Sequence, residues 1–393
     1  MLEWLIIGGG IHGTYLSYVL THVAGVSASR LRVLDPHATP LALWEQFTTN
    51  VGMEFLRSPV VHNLDPDPQA LVKFAHTAAG LPYARFIEPY RRPALDLFQA
   101  HTRHLIEHQR LRELRVQGRA RRLQPYADGF RVETADGDLM ARRVLLALGV
   151  TEQPYWPEWA RSLRATGAPI THVFDTTCRR SELPIGQQTV VIGGGISAVQ
   201  TALVLAHQAP GQVTLVMRHP LRVHQFDSDP GWLGPKYLRS YQREPDYGQR
   251  RAHIQSARHR GSVPPDVEQA LGAAIASGML SMRTIEVESA TTNTAGCITL
   301  RWTDGSGTLD AHLVVLATGF AATRPGGAWL DAAIAELGLP CAACGYPLVD
   351  ETLCWYPGLY VSGALAELEL GPAARNIAGA RMAAERIRTI ARY

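Results

Sequence analysis

Cysteine is scarce in this chain: five residues in 393, at positions 178, 297, 341, 344 and 354. So small and odd a set excludes the disulfide framework of a secreted mini-domain. Long apolar runs are missing as well, and with them any helix able to span a bilayer. No charge sign dominates. A formal net charge of +3 gives nucleic acid no electrostatic footprint. Lysine is nearly absent, so the positive charge sits on arginine. The pair Arg250-Arg251 and the cluster Arg119, Arg121 and Arg122 read as solvated faces. No charged leader precedes the first apolar run, so the cytoplasm is the expected location. Neither a Ser-His-Asp set nor a carboxylate pair is readable.

Glycine, by contrast, is plentiful and placed. Leu5-Ile6-Ile7 runs into Gly8-Gly9-Gly10-Ile11-His12-Gly13, and Val190-Val191-Ile192 runs into Gly193-Gly194-Gly195-Ile196-Ser197-Ala198. Each is an apolar strand entering a G-x-G-x-x-G/A turn that opens a helix. The first glycine allows the tight turn and the second lets backbone approach a pyrophosphate. The third position, Gly13 or Ala198, lets helix and strand pack closely. Phosphates bind the unpaired N–H groups of such a helix start. Two turns predict two dinucleotides.

The second strand of each unit separates the two turns. Leu31–Asp35 is a strand ending in an acid, 22 residues beyond Gly13. A carboxylate there accepts from an adenosine ribose and repels a 2′-phosphate, so this site suits FAD or NAD. The alternative for Asp35 is a turn residue before Pro36. Val213–Met217 ends in Arg218-His219 instead. A guanidinium there pairs with a 2′-phosphate, so the second site prefers NADPH; the alternative is an exposed arginine at a strand end.

Between these units the rhythm breaks. Residues 36–110 form a Pro-rich insertion carrying Trp44 and Arg57, followed by a helical pattern around Leu95–Ile106. Leu111–Val116 and Gly129–Glu133 read as antiparallel strands. Val144–Gly149 reads as a buried parallel strand, and 151–159 as a linker. Residues 221–265, rich in His and Arg, read as an insertion lying over a site. Strands are expected at 280–288, 297–303 and 310–317, the last running into Thr318-Gly319. A strand at 358–363 ends in Gly363, and a long helix begins near Asn376.

With these residues in view the chain resembles the two-dinucleotide-binding flavoproteins. Within them it looks most like the flavin-dependent N-hydroxylating monooxygenases of the ornithine/lysine type and the flavin-containing monooxygenases. The resemblance rests on Gly8-x-Gly10-x-x-Gly13 with Asp35, Ala147-Leu148-Gly149 before Gln153-Pro154, Gly193-x-Gly195-x-Ser197-Ala198 with Arg218, and Ala317-Thr318-Gly319-Phe320. Two departures stand beside it. Gly167–His172 has one residue too many, and no leading Phe, for the signature that the flavin-containing family carries between its two turns. Arg57 stands where the N-hydroxylases have a lysine.

The resemblance implies an α/β fold of two Rossmann-like domains, the NADPH domain inserted in the FAD domain. FAD would occupy residues 1–175 and 315–393, and NADPH residues 176–314, with 221–265 as a cap. It implies a monooxygenase in which NADPH reduces the flavin and O₂ adds as a C4a-hydroperoxide. The distal oxygen then passes to a small polar nucleophile, amine nitrogen first and sulfur second. Cofactor contacts are expected from both turns (Gly8, Gly10, Ile11, His12 and Gly13; Gly193, Gly195, Ile196, Ser197 and Ala198). Asp35, Arg218, Trp44, Gly149, Thr318, Gly319 and Gly363 join them.

Arg57 and Asn376 are the catalytic candidates. Arg57 would place a charge near the flavin or nicotinamide, or else bond loop carbonyls. Asn376 would meet the flavin edge or a substrate carboxylate, or else cap its helix. Cys341-Ala342-Ala343-Cys344 carries the rival reading, an NADPH-dependent flavin disulfide or electron-transfer reductase. No metal is expected, the partners are O₂ and a small molecule, and a homo-oligomer is left open.

Overall fold

Parallel strands covered on both faces are apolar along most of their length, and Leu2–Ile7, Val144–Leu146, Thr189–Ile192 and Leu313–Leu316 are so except at Glu3 and Thr189. In the computed structural model, which describes residues 1–391, they build two separate sheets. The first runs in the order 354–356, 359–361, 138–146, 2–7, 31–35, 115–117, with the hairpin 122–126/129–133 added to 138–146. Ile6 stands between Val33 and Leu145 at its centre. The second is wholly parallel, in the order 280–284, 213–217, 189–192, 313–316, 170–172.

Side-chain alternation divides the second sheet cleanly. Val191, Leu215 and Val315 pack under the helices Ile196–Gln208 and Pro265–Ala276. Val190, Ile192, Val216, Val314 and Leu316 face the other way, onto Trp156, Leu163 and the three-stranded meander of 287–311. The expected α/β architecture of two Rossmann-like units is present.

The boundaries drawn from sequence shift. Leu313–Leu316 pairs along its whole length with Thr189–Ile192, and Ile170–His172 pairs with it in turn. A division at 314/315 would cut a strand that hydrogen bonding keeps whole, and one at 175/176 would give the first unit a strand of the second sheet. The chain crosses between units at 153–155 and 318–321. The two crossings bond each other: the Tyr155 N–H donates to the Gly319 carbonyl at 2.9 Å, and the Ala321 N–H to Gln153 at 2.8 Å.

Leu111–Val116 also differs. Leu111–Leu114 is a 3-10 turn, and Arg115–Gln117 joins the parallel edge beside Val33–Asp35. The insertion 221–265 holds two helices, Pro235–Arg243 and Tyr247–Ala257, closed by a short pairing of Arg222–Val223 with Ser262–Val263. Its Tyr241 and Ile254 pack against Tyr346 and Leu368, so the insertion is seated on the tail of the first unit. Arg250 and Arg251, expected on a solvated face, are buried in this seam. Arg250 faces Glu369 at 3.3 Å and Arg251 pairs with Glu367. Among the described residues no helix is long and apolar enough to cross a membrane.

Candidate functional site

The first glycine turn is built as its spacing requires. Gly8 has φ +109°, and a β-carbon there would strike the Ala147 carbonyl; one on Gly13 would strike the Gly8 carbonyl. Gly10 is different, because a β-carbon on it would meet nothing within 4 Å. The helix Ile11–Tyr18 begins there with no side chain capping it. Its first N–H groups have no intrahelical partners, and they make an anion cradle beside an open backbone.

Asp35 sits next to this cradle, but its carboxylate is already engaged. Oδ2 accepts from the Gly9 N–H at 2.6 Å and Oδ1 from the His37 N–H at 2.9 Å. Arg115 lies 3.3 Å from Oδ1, donates to the His37 carbonyl, and spreads across the face of Gly9. Sequence reasoning missed Arg115, which is distant in the chain and lies on a three-residue edge strand with no readable pattern.

His12 turns inward from the same turn. Nδ1 shares a 2.8 Å hydrogen bond with Ser362 Oγ, while Nε2 is buried with no partner. Burial pulls its pKa down to about 4, against the weaker opposing influence of the Asn376 and Arg375 backbone. Gly363, at φ +66°, brings backbone against the imidazole: a β-carbon there would stand 3.6 Å from Nδ1. The tail strand end is thus joined to the first turn.

The second turn repeats the plan with its cradle filled. Gly193 has φ +151° and abuts the Ala317 carbonyl. The direction of the absent Gly195 side chain is taken by Gly261, whose Cα would lie 3.3 Å from a β-carbon on Gly195. The His219 ring covers both Gly194 and Gly261. Ile196, Ser197 and Ala198 start the helix as expected. Arg218 is exposed and makes no hydrogen bond or ion pair among the described residues.

Arg57 holds that arrangement. Nε donates to the Gln225 carbonyl at 3.1 Å. Nη2 donates to the carbonyls of His224 (2.6 Å) and Phe226 (2.8 Å) and to Ser262 Oγ (2.9 Å). The guanidinium therefore ties the insertion to the first unit and is not a free cation awaiting a substrate; of the two roles expected for it, the structural one is built. Asn376 stands at the N-cap of the helix Ile377–Ile390, yet its side chain does not cap. It donates to Asp227 at 3.2 and 3.3 Å.

The remaining candidates are dispersed. Trp44 packs 5.2 Å from Phe98 in the first core. Gly149 is exposed beyond its strand. Thr318 bonds the Tyr155 carbonyl and His172, so Thr318 and Gly319 lock the crossing between units. Cys341 and Cys344 lie in the loop before Tyr346. Burial pushes the Cys341 thiol up, the wrong direction for an attacking thiolate. Among the described residues no His, Cys, Asp or Glu group could hold a metal.

The solved structures that resemble the chain cover nearly all of it. They include the FAD-bound cadaverine monooxygenase of desferrioxamine biosynthesis from Erwinia amylovora, with a TM-score of 0.75 at 15% identity over 98% of this chain and 93% of that one. They also include the ornithine hydroxylase of Pseudomonas aeruginosa, with a TM-score of 0.75 at 18% identity over 100% and 98%. The fold is that of the two-dinucleotide flavoproteins. An ornithine N-hydroxylase from Kutzneria sp. 744, determined with reduced FAD, NADP⁺ and L-ornithine, shares it at a TM-score of 0.74 and 16% identity over 100% and 99%. The pyridine nucleotide-disulphide oxidoreductase family model matches residues 72–256. No curated protein matches the chain in sequence.

The first glycine turn, the tail strand and the N-terminus of the tail helix meet in one region of this fold. His12, Ser362, Gly363, Arg375, Asn376 and Asp227 are linked into it by the bonds described.

Proposed function

We propose that the chain is an FAD- and NADPH-dependent monooxygenase acting on a small polar nucleophile, amine nitrogen first and sulfur second. The open face of Gly10 beside an uncapped helix start carries the reading, because it leaves backbone N–H groups for a pyrophosphate. The likeness of fold to amine-oxygenating enzymes supports it. FAD, when bound, supplies electron acceptance from NADPH and activation of O₂.

The chain's own residues do the rest. Gly8, Gly10 and Gly13 admit the dinucleotide, Ile11 and His12 offer the first N–H groups, and Asp35 takes the ribose in exchange for part of its present bonding. His12 stays neutral at physiological pH, so it presents a neutral ring to the cofactor, fixed by Ser362. Gly193–Ala198 and Arg218 take NADPH once the segment on Gly195 withdraws. The insertion 221–265 excludes water above the site. We place the protein in the cytoplasm.

The test is direct. The protein is purified, FAD is added, and NADPH is supplied first without and then with O₂ and a panel of amines and thiols. Oxygen uptake coupled one-to-one to an oxygenated product supports the reading. If NADPH fails to reduce the flavin, or drives only dithiol exchange that Cys341→Ser abolishes, the reading is lost.

A further inference from the structure

The helix Ala42–Asn50 belongs to the first unit by chain order and to both units by packing. At its start the Leu41 N–H donates to the Gly9 carbonyl at 3.0 Å, so the helix hangs from the first glycine turn itself. Leu41 and Trp44 pack in the first core. Further along, the side chains turn to the other unit. Phe47 and Val51 are buried in the core of the second sheet, with the Phe47 ring 5.3 Å from Phe174. Gly52, at φ +67°, closes the far end against Val204 of the helix Ile196–Gln208, where a β-carbon on Gly52 would stand 2.8 Å from Val204 Cβ. That helix is the one the second glycine turn opens.

Two side-chain amides fasten this end. Asn50, 3% exposed, donates through Nδ2 to the carbonyls of Val173 (3.0 Å) and Cys178 (3.1 Å), and its Oδ1 accepts from the Arg180 N–H at 3.1 Å. These partners lie 123, 128 and 130 positions further on, all in the second unit. Both amide hydrogens and the amide oxygen are thereby used. Gln46 Nε2 donates to the carbonyls of Thr176 (3.1 Å) and Cys178 (3.0 Å). Arg180 returns a bond, its Nε donating to the Thr49 carbonyl at 3.1 Å.

The place of these bonds gives them their effect. The crossings at 153–155 and 318–321 run side by side and bond each other, so alone they would form one line about which the second unit could turn. Arg57 restrains the insertion, and Arg92, paired with Asp266, holds the start of the helix Pro265–Ala276. The helix Ala42–Asn50 does something else. It runs from the first glycine turn to the segment 173–180 and to the helix behind the second turn. Nine residues of α-helix make a rigid rod about 13 Å long.

We propose that Asn50 and Gln46 are positioning residues: through the helix Ala42–Asn50 they hold the second glycine turn at one distance and angle from the first, so that NADPH reduces the flavin without any turning of the units. The inference rests on the reading that both dinucleotides bind; the rigidity assigned to the helix does not. The reduction passes a hydride, one proton with two electrons, from NADPH to the flavin and leaves NADP⁺. Such a transfer needs reacting atoms roughly 3–3.5 Å apart, and a shift of about 1 Å can cost a hundred-fold in rate. A strut that fixes the two binding turns acts on that distance while touching neither dinucleotide.

Wild type, Gln46→Ala, Asn50→Ala and the double variant are loaded with FAD and mixed with NADPH without oxygen. Flavin reduction at saturating NADPH should slow at least about ten-fold in the double variant, with each single variant between it and the wild type. The dissociation constants of FAD and NADP⁺ should stay at the wild-type values. The long-wavelength absorbance formed when NADP⁺ is added to dithionite-reduced protein should weaken in the same order. Ile106→Ala, in the first core away from the strut, is the control for lost stability: it should lower the thermal midpoint and leave the reduction rate alone.

A second measurement needs neither dinucleotide. Nitroxides are attached at Arg103→Cys and Ser306→Cys, exposed sites in the first and second units, in a chain whose Cys297, Cys341, Cys344 and Cys354 are replaced by serine. Pulsed electron resonance should give one narrow distance with the strut intact and a broadened one when Gln46 and Asn50 are both alanine. An unbroadened distance in that double variant overturns the proposal, as does a reduction rate no slower than that of Ile106→Ala. If NADPH leaves the wild-type flavin oxidised, the two-dinucleotide reading fails, and the distance alone decides the strut.

Discussion

Gly261 occupies the space that Gly195 leaves by having no side chain, its Cα 3.3 Å from where a β-carbon would stand. In a dinucleotide turn that space is for the pyrophosphate. If NADPH binds at this turn as proposed, the segment around Gly261 would have to withdraw, and Arg57 would oppose withdrawal through Ser262, His224 and Phe226. A ligand that binds only the open form has its affinity reduced by the fraction of molecules that are open. Arg57→Ala should therefore tighten NADP⁺ binding. If the lost bonds favour the open form by roughly 1–2 kcal/mol, the gain is about five- to thirty-fold. Calorimetric titration of both proteins decides; equal or weaker binding by the variant would show that Arg57 holds no gate.

Arg218 should matter for one cofactor only. It is exposed at the end of Val213–Met217 with no protein partner among the described residues, so a 2′-phosphate can claim its guanidinium without breaking a bond. Arg218→Ala should weaken NADPH about ten-fold or more, as expected for a charge-assisted bond of ~1.5–3 kcal/mol, and spare NADH. Apparent affinities for both, measured by flavin reduction rates, test this. Equal losses would refute the 2′-phosphate role.

Legibility in the sequence followed the range of the interactions involved. Apolar runs and glycine spacing are local, so both sheets' central strands and both turns could be read from them. Domain edges were misplaced because Leu313–Leu316 is as apolar as any strand of the first sheet; only its pairing with Thr189–Ile192 assigns it. Arg250-Arg251 looked solvated because nothing nearby in sequence foretells Glu367 and Glu369, over a hundred positions away. Arg57 could be singled out, but its role could not be decided, since its acceptors are backbone carbonyls, which any residue supplies.

Asp35 should be needed for flavin retention despite its present engagement. Its carboxylate anchors Gly9 and restrains Arg115, so removing it would both delete the proposed ribose acceptor and free a cation over the turn. Asp35→Ala should emerge from gel filtration with several-fold less FAD per chain than the wild type after identical reconstitution, read from the visible absorbance. Asp35→Asn keeps an acceptor oxygen and should retain more. Full occupancy in Asp35→Ala would remove this residue from the site.

Three buried histidines, His12, His101 and His172, should weaken the fold in acid. Burial holds His12, His101 and His172 each down at about 4, against 6.5 for an unperturbed imidazole. A folded-state pKa below the unfolded one means that the unfolded chain takes the proton first as pH falls. The stability these groups contribute is full above about pH 6.5, is lost as pH drops toward 4, and changes little below that. Near pH 5 unfolding should take up close to three protons through these sites. Each proton contributes about 1.4 kcal/mol per pH unit to the slope. Urea midpoints measured from pH 7.5 to 5 should fall accordingly. His12→Gln should remove about a third of the histidine contribution, because its neighbours Ser362, Asn376 and Arg375 offer no carboxylate to take over the titration. An unchanged slope in His12→Gln, or an imidazole resonance of His12 that titrates near 6.5 in the folded protein, would show that the ring is open to water.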